Sequence, residues 1–259
     1  MTRVALGVEY DGSAFVGWQS QANGRSVQDV LTAAVAKVAA GPVQLIAAGR
    51  TDAGVHAEAQ VAHFDSPAAR SARQWVLGIN TNLPADVAVT WARDVPPSFD
   101  ARRSALERCY RYRLVHSATR PVLWRERALW VRDALNLGAM AAAASFLLGE
   151  QDFSSLRAAG CQSNTPMRCV TAIRLRRTAP FIDIDVSANA FLYHMVRNMV
   201  GLLLTVASGE AEPSWVAQVL ASRDRRQGSA TAPAHGLTLR AVRYPDQFGL
   251  PPGGRLVAC

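Results

Sequence analysis

Three observations predict an α+β fold of two ferredoxin-like halves, with mixed or antiparallel sheets packed side by side around a central cleft. The chain has 259 residues, more than one typical domain, so one large or two ordinary domains are expected. Its hydrophobic periodicity switches between two and 3.6 in the order βαββαβ, and then runs through the same plan again. Between the two runs, Pro96-Pro97 to Arg103 reads as a join, giving domains of residues 1–102 and 103–259.

In the first half a strand is expected at about residues 3–10, followed by a glycine-punctuated loop through Asp11-Gly12 and Asn23-Gly24. A helix follows at about 27–40, with Ser26 as N-cap and Val27, Val30, Leu31, Ala34, Val35 and Val38 along one face. Strands are expected at about 43–49 and 57–65, joined by a short Gly-containing hairpin or tight connection. Ser71-Ala72-Arg73-Gln74 has capping-box form and opens a helix to about Ile79, and a strand at about 87–95 closes the unit.

The second half starts with a strand at about 105–116 and a helix at about 133–148, where Ala139 to Ala144 supply strong helix formers. Strands at about 168–177 and 181–187 flank a turn at Thr178-Ala179-Pro180. Helices at about 190–207 and 213–222 precede a last strand at about 237–243. The topology recurs without a visible sequence repeat. A cleft between two such sheets suits a ligand too large for a pocket, and paired sheets are one way RNA-binding modules present their surfaces. A fold of this kind hosts many functions, so the argument must rest on residues.

Composition excludes several classes. Hydrophobic residues make up 49% of the chain, enough to build a sizeable core and unlike a disordered segment. The longest apolar stretch, Met199 to Ala207, is far too short to span a bilayer. The chain enters a strand pattern at Val4-Ala5-Leu6-Gly7-Val8 with no signal segment, so a cytoplasmic protein with no membrane partner is expected. Cys109, Cys161, Cys169 and Cys259 form no CxxC pair, and no histidine cluster stands at zinc spacing; all four read as ordinary thiols, with no metal. The net charge of +8 is almost wholly arginine, Lys37 being the only lysine. Guanidinium forks suit phosphates and stack on bases, so the excess favours a nucleic-acid partner. A GC-rich genome also replaces lysine by arginine, but it does not produce the excess over acids.

Gly49-Arg50-Thr51-Asp52-Ala53-Gly54-Val55-His56-Ala57 concentrates chemistry between two strands. A turn here needs only small polar residues, yet this one carries a cation, a hydroxyl, a carboxylate and an imidazole. Asp52 is therefore the first candidate for catalysis. In Cys109-Tyr110-Arg111-Tyr112-Arg113 the tyrosines share one strand face and the arginines the other. Either the aromatic face stacks a base with a neighbouring Arg on phosphate, or both tyrosines are core residues with tethered hydroxyls. Arg197 is an isolated cation in the apolar run from Phe191 to Gly201. It either finds a carboxylate, for which Asp52 is a candidate, or reaches solvent from the helix edge. Thr231 to Leu239 reads as a defined loop, mainly structural. Phe15 and Trp18, in the loop after the first strand, either pack or touch a substrate. His56, His63, His194 and His235 are more readily structural than general bases.

Taken together, these segments resemble the tRNA pseudouridine synthase A family across nearly the whole chain, from Tyr10-Asp11-Gly12 to Tyr244-Pro245-Asp246. The resemblance is carried by Gly49 to Ala57, Tyr110-Arg111-Tyr112, Asn189-Ala190-Phe191 through Gly201, and Ala232-Pro233 through Leu237. It implies an isomerase that converts uridine to pseudouridine at positions 38, 39 and 40 in the anticodon arm of tRNA, without cofactor or metal, as a homodimer. By that resemblance Asp52 is the nucleophile, Tyr110 stacks on the target uracil, Arg197 pairs with the Asp, and Arg50 takes over the place of the flipped nucleotide. Cys109 departs from the basic residue expected before the tyrosine in many relatives, and the Gly253-Gly254-Arg255 tail is idiosyncratic. Two rivals stand beside this reading. A non-catalytic RNA-binding module leaves the Asp52 loop without purpose. A metal-assisted hydrolase on Asp52 and His56 lacks further clustered carboxylates.

Overall fold

The computed structural model describes residues 1–251, and the Gly253-Gly254-Arg255 tail and Cys259 lie outside the described residues. The chain divides into two compact units. One is Met1–Arg108 together with the described residues from Thr238, and the other is Cys109–Leu237.

In the first unit, β1 (Thr2–Tyr10) pairs antiparallel with both β3 (His56–Ser66) and β4 (Val87–Val95). The short β2 (Ile46–Ala47) pairs antiparallel with the other side of β3, opposite His63 and Ala62. The order β4-β1-β3-β2 is the ferredoxin-like arrangement that the periodicity predicts. Two helices complete the unit. Ser26 caps α1 (Val27–Ala39) by accepting from the Asp29 N–H, and Ser71 and Gln74 close a full capping box on α2 (Ala72–Thr81). The core forms from the apolar face of α1 (Val27, Leu31, Ala34, Val35), from Trp75 and Ile79 of α2, and from Leu6, Val8, Val61 and Phe64 of the strands. Val30 and Val38, placed on the same helical face by spacing, are half-buried.

β2 is much shorter than the expected strand at 43–49. It covers only one stretch of β3's edge. The last strand, β10 (Leu237–Arg243), pairs in parallel with another stretch, Thr238 opposite His56 and Leu239 opposite Ala57. The strand expected to close the second half is thus built largely into the first unit. Local periodicity identifies a strand, whereas its pairing partner depends on distant sequence. With β2 ending at Ala47 and β3 starting at His56, the connection between them is a long loop, not a tight hairpin.

The second unit has the order β5-β9-β8-β7. Here β5 is Glu107–His116, β6 (Leu129–Val131) runs parallel to its end, and β7 is Gly149–Asp152. β8 (Met167–Thr178) and β9 (Phe181–Ala188) form an antiparallel pair. α3 (Leu137–Ser145), α4 (Met195–Ala207) and α5 (Trp215–Ser222) supply the helices. β6 and β7 escape the periodicity reading because each is too short to show alternation. The helix expected from residue 190 starts only at Met195. His194 takes a left-handed conformation at φ 61°, and the Asn189 side-chain oxygen accepts from the Cys169 and Ala190 N–H groups, which holds the approach to α4 in non-helical form.

Among the described residues Cys161 and Cys169 are free thiols. Among the described residues no helix is long and apolar enough to cross a membrane.

Candidate active site

Asp52 sits on the loop between β2 and β3, half-buried, with Arg50 exposed two residues before it. The loop is held at several points. Ala48 N–H donates to the Val61 carbonyl (2.8 Å), and the fully buried Gln60 donates through Nε2 to the Gly49 carbonyl (2.8 Å). Trp18 N–H donates to the Thr51 carbonyl (3.0 Å), and the Tyr10 hydroxyl meets Thr51 Oγ1 at 2.7 Å in a buried contact. Beyond Asp52, its own carbonyl accepts from Val55 N–H (3.1 Å), and Gly54 N–H reaches the Phe15 carbonyl (3.3 Å). The segment after β1 is thereby laid against the loop. Its approach is so close that a Cβ on Gly12 would fall 2.0 Å from the Val55 carbonyl oxygen, which only glycine permits.

That packing answers the question over the two early aromatics. Phe15 and Trp18 are both buried beneath this contact, and Arg25 lies over the Phe15 ring at 4.2 Å while pairing with Asp86. They support the loop by packing. His56 is also buried, its Nδ1 accepting from Gly12 N–H at 3.0 Å with Asp11 Oδ1 at 3.1 Å, so it ties β3 to the same segment. His63 accepts from Ala101 N–H through Nδ1 (3.1 Å), and burial lowers its basicity. Both histidines hold backbone in place, as their structural reading anticipates.

In the second unit Tyr110 lies on β5, only 8% exposed, with its ring edge-on to Phe191 at 5.2 Å. Tyr112, on the same face, is the tethered one. It is fully buried and donates its hydroxyl to the Pro233 carbonyl at 2.8 Å. Arg111 and Arg113 point to the other face, but not toward a phosphate. Arg111 binds Asp185 in a bidentate pair (2.7 and 2.8 Å), and Arg113 binds Asp183 likewise (2.7 and 2.9 Å). Arg111 also approaches Asp183 at 3.4 Å, and Arg176 approaches Asp185 at 3.3 Å. Of the two alternatives for this strand, the arginines take part in a ladder of ion pairs between β5 and β9. Acidic residues at alternate positions of Phe181-Ile182-Asp183-Ile184-Asp185 were the signal, because a buried carboxylate needs a cation opposite.

Arg197, in the first turn of α4, is half-buried. Its Nε donates to the Ala232 carbonyl (2.8 Å), and its own carbonyl accepts from Ala232 N–H (3.1 Å). The same segment receives Tyr112 at Pro233, so residues 231–233 form a strap that orients one side chain from α4 and one from β5. Thr231 donates to Asn198, and Arg225 reaches both Asn198 and Thr231 at 3.0 Å. Gly201 lets the strap pass, since a Cβ there would lie 2.2 Å from the Ala230 carbonyl oxygen. Residue types alone undervalue this loop because its work is done by backbone carbonyls.

The four predicted site residues thus fall two to each unit, Arg50 and Asp52 on one loop and Tyr110 and Arg197 on β5 and α4. Sequence reasoning passed over Gln60, a fully buried amide on β3, and the pairing of Tyr10 with Thr51. Among the described residues no group of three His, Cys, Asp or Glu side chains is placed to hold a metal ion.

The family model described as tRNA pseudouridine synthase matches residues 7–102 and 143–245. The tRNA pseudouridine synthase A of Methylococcus capsulatus is 48% identical over 248 residues, 96% of this chain and 92% of that protein. That of Coxiella burnetii (strain Dugway 5J108-111) is 49% identical over 251 residues, covering 97% and 96%. That of Shewanella loihica is 50% identical over 249 residues, covering 96% and 95%. The matched spans hold the clamped Asp52 loop and the Arg197 strap alike, and the chain belongs to the tRNA pseudouridine synthase family.

Proposed function

We propose that this chain isomerises uridine to pseudouridine at positions 38, 39 and 40 in the anticodon arm of tRNA, with Asp52 as nucleophile. As a member of its family it is a tRNA pseudouridine synthase, an isomerase. The observation that carries the site reading is a half-buried carboxylate on a loop immobilised on both sides of it. Fixing a reactive group at one geometry removes much of the entropic barrier to reaction.

The reaction breaks the C1′–N1 bond of the nucleoside, turns the uracil and forms a C1′–C5 bond, releasing the C5 proton. Asp52 serves either by adding to C6 of the base or by trapping the ribose at C1′, and both routes need an ionised carboxylate. Arg197 pairs with that carboxylate and steadies its charge. Tyr110, its ring already fixed by Phe191, offers a platform under the detached uracil that permits rotation in plane and hinders escape. The target base must leave its stack, and Arg50 enters the gap it vacates. No electron or group carrier is needed. The excess of arginine supplies phosphate contacts, and a homodimer in the cytoplasm spans the anticodon arm and the tRNA body together.

The test is tritium release from tRNA carrying 5-tritiated uridine, with wild type and Asp52→Ala compared in the presence of chelator. Release by the wild type alone, with both proteins binding tRNA, is the expected result. Release by Asp52→Ala at the wild-type rate refutes the nucleophile assignment. Release from tRNA whose only labelled uridines lie outside the anticodon arm refutes the site assignment. A monomeric mass in light scattering refutes the dimer.

A further inference from the structure

We propose that Tyr10 is a positioning residue for Asp52, acting through the Thr51 hydroxyl. The inference rests on the reading of Asp52 as nucleophile.

Thr51 immediately precedes Asp52, and its backbone and its side chain are both held. Its carbonyl accepts from Trp18 N–H at 3.0 Å, and its Oγ1 lies 2.7 Å from the Tyr10 hydroxyl. Both residues are buried, at 3% and 6% exposure, so water does not substitute for either partner. Tyr10 is the last residue of β1, where the register with β3 shifts between Val8, opposite Gln60, and Tyr10, opposite Ala57. Irregularities of this kind re-aim a side chain at the end of a strand. Here the re-aimed ring carries its hydroxyl to the loop. Gln60 is buried nearby and its Nε2 holds the Gly49 carbonyl, so buried polar side chains fix the loop at Gly49 as well as at Thr51.

Burial also pushes the Tyr10 phenol up to about 12, keeping it neutral through the working range. A neutral hydroxyl beside a threonine hydroxyl leaves the carboxylate one residue on without a competing charge. The cluster sets where the carboxylate sits while making no contact with substrate. Its loss should therefore lower the rate of the chemical step and leave the affinity for tRNA intact.

The experiment compares Tyr10→Phe, Thr51→Val, the double variant and Thr51→Ser, with Asp52→Ala as reference. Single-turnover pseudouridine formation and tRNA binding are measured for each, and circular dichroism verifies the fold. Tyr10→Phe removes one oxygen and is the variant most certain to fold. It should slow the single-turnover rate by about 10–100-fold, with tRNA affinity within about twofold of wild type. Thr51→Val should match it, the double variant should be no slower than the worse single, and Thr51→Ser should recover most of what valine loses. A Tyr10→Phe rate within about twofold of wild type overturns the proposal, as do losses that multiply in the double variant or that appear only as weaker binding. If Asp52→Ala is inactive while Tyr10→Phe is unimpaired, only the positioning role falls. If Asp52→Ala still isomerises uridine, the nucleophile reading falls and this proposal with it.

Discussion

The first unit holds the backbone around Asp52 mainly through uncharged groups, whereas the second holds its aromatic strand with charges. Around the Asp52 loop the backbone is held mainly by hydroxyl to hydroxyl, amide to carbonyl and backbone to backbone contacts, with the Arg108 guanidinium also donating to the Ala48 carbonyl at 2.9 Å. On β5 the Arg111–Asp185 and Arg113–Asp183 pairs fix the strand, and a backbone strap then aims Arg197 and Tyr112. Next to the carboxylate proposed as nucleophile, the hydroxyl pair of Tyr10 and Thr51 adds no charge that competes with the chemistry. Farther along β5 the ion pairs are buried, so they give directional fixation at a desolvation cost that is recovered only while every partner is present. The two designs should fail differently.

The largest failure should follow Asp185→Ala. Arg111 is 9% exposed and would lose its bidentate partner, while Asp183 approaches only to 3.4 Å. Removing one member of a buried pair leaves an uncompensated charge, and a loss of about 3 kcal/mol in unfolding free energy is expected. Urea titration measures it. Arg111→Met combined with Asp185→Leu should recover most of that loss, since the penalty belongs to the stranded charge.

Arg197→Lys sharpens the comparison at the level of turnover. A lysine keeps the cation but cannot donate from a planar fork to the Ala232 carbonyl while directing its charge elsewhere. Turnover should fall by about 10²-fold while melting temperature changes little. A turnover within about threefold of wild type would show that charge alone suffices at this position.

The neutral scaffold has its own weakness, at high pH. Burial raises the phenol of Tyr10 to about 12 and pushes those of Tyr112 and Tyr244 up as well. In the unfolded chain a tyrosine loses its proton near 10. Below about pH 10 both states are protonated and these groups leave stability flat. Above it the unfolded state ionises first, so stability falls with rising pH by about 1.4 kcal/mol per pH unit for each tyrosine, until its folded value is reached. Unfolding measured between pH 9 and about 12 should show this decline, with a shallower slope in Tyr10→Phe. An unchanged slope in that variant would remove Tyr10 from the account.

The two units also differ in how much of them was legible. The capping box at Ser71–Gln74, the Ser26 cap and the order of strands in the first unit follow from local chemistry, which neighbouring residues specify. The β10 pairing with β3, the Arg–Asp ladder and the late start of α4 depend on partners distant in the chain. At the site, Asp52 stood out because a turn had no need of it. Tyr10 did not, because a tyrosine at the end of a strand looks like any other core residue until its hydroxyl is seen against Thr51.

The smallest expected effect separates the two buried tyrosine hydroxyls most cleanly. Tyr112, like Tyr10, is buried and bonds to an irregular segment, so Tyr112→Phe and Tyr10→Phe each remove a single oxygen. The stability costs should be similar, about 1 kcal/mol apiece. The effects on turnover should not. Arg197 keeps both of its bonds to Ala232 when the Pro233 carbonyl loses its donor, and Thr231 remains tied to Asn198, so the strap stays in place. Thr51 has no such duplicate for its side chain among the described contacts, and it stands next to Asp52, the proposed nucleophile. Tyr112→Phe should therefore keep turnover within about threefold of wild type, where Tyr10→Phe loses at least about tenfold. Equal losses in the two variants would mean that burying a tyrosine matters in itself, and that its hydroxyl's partner does not.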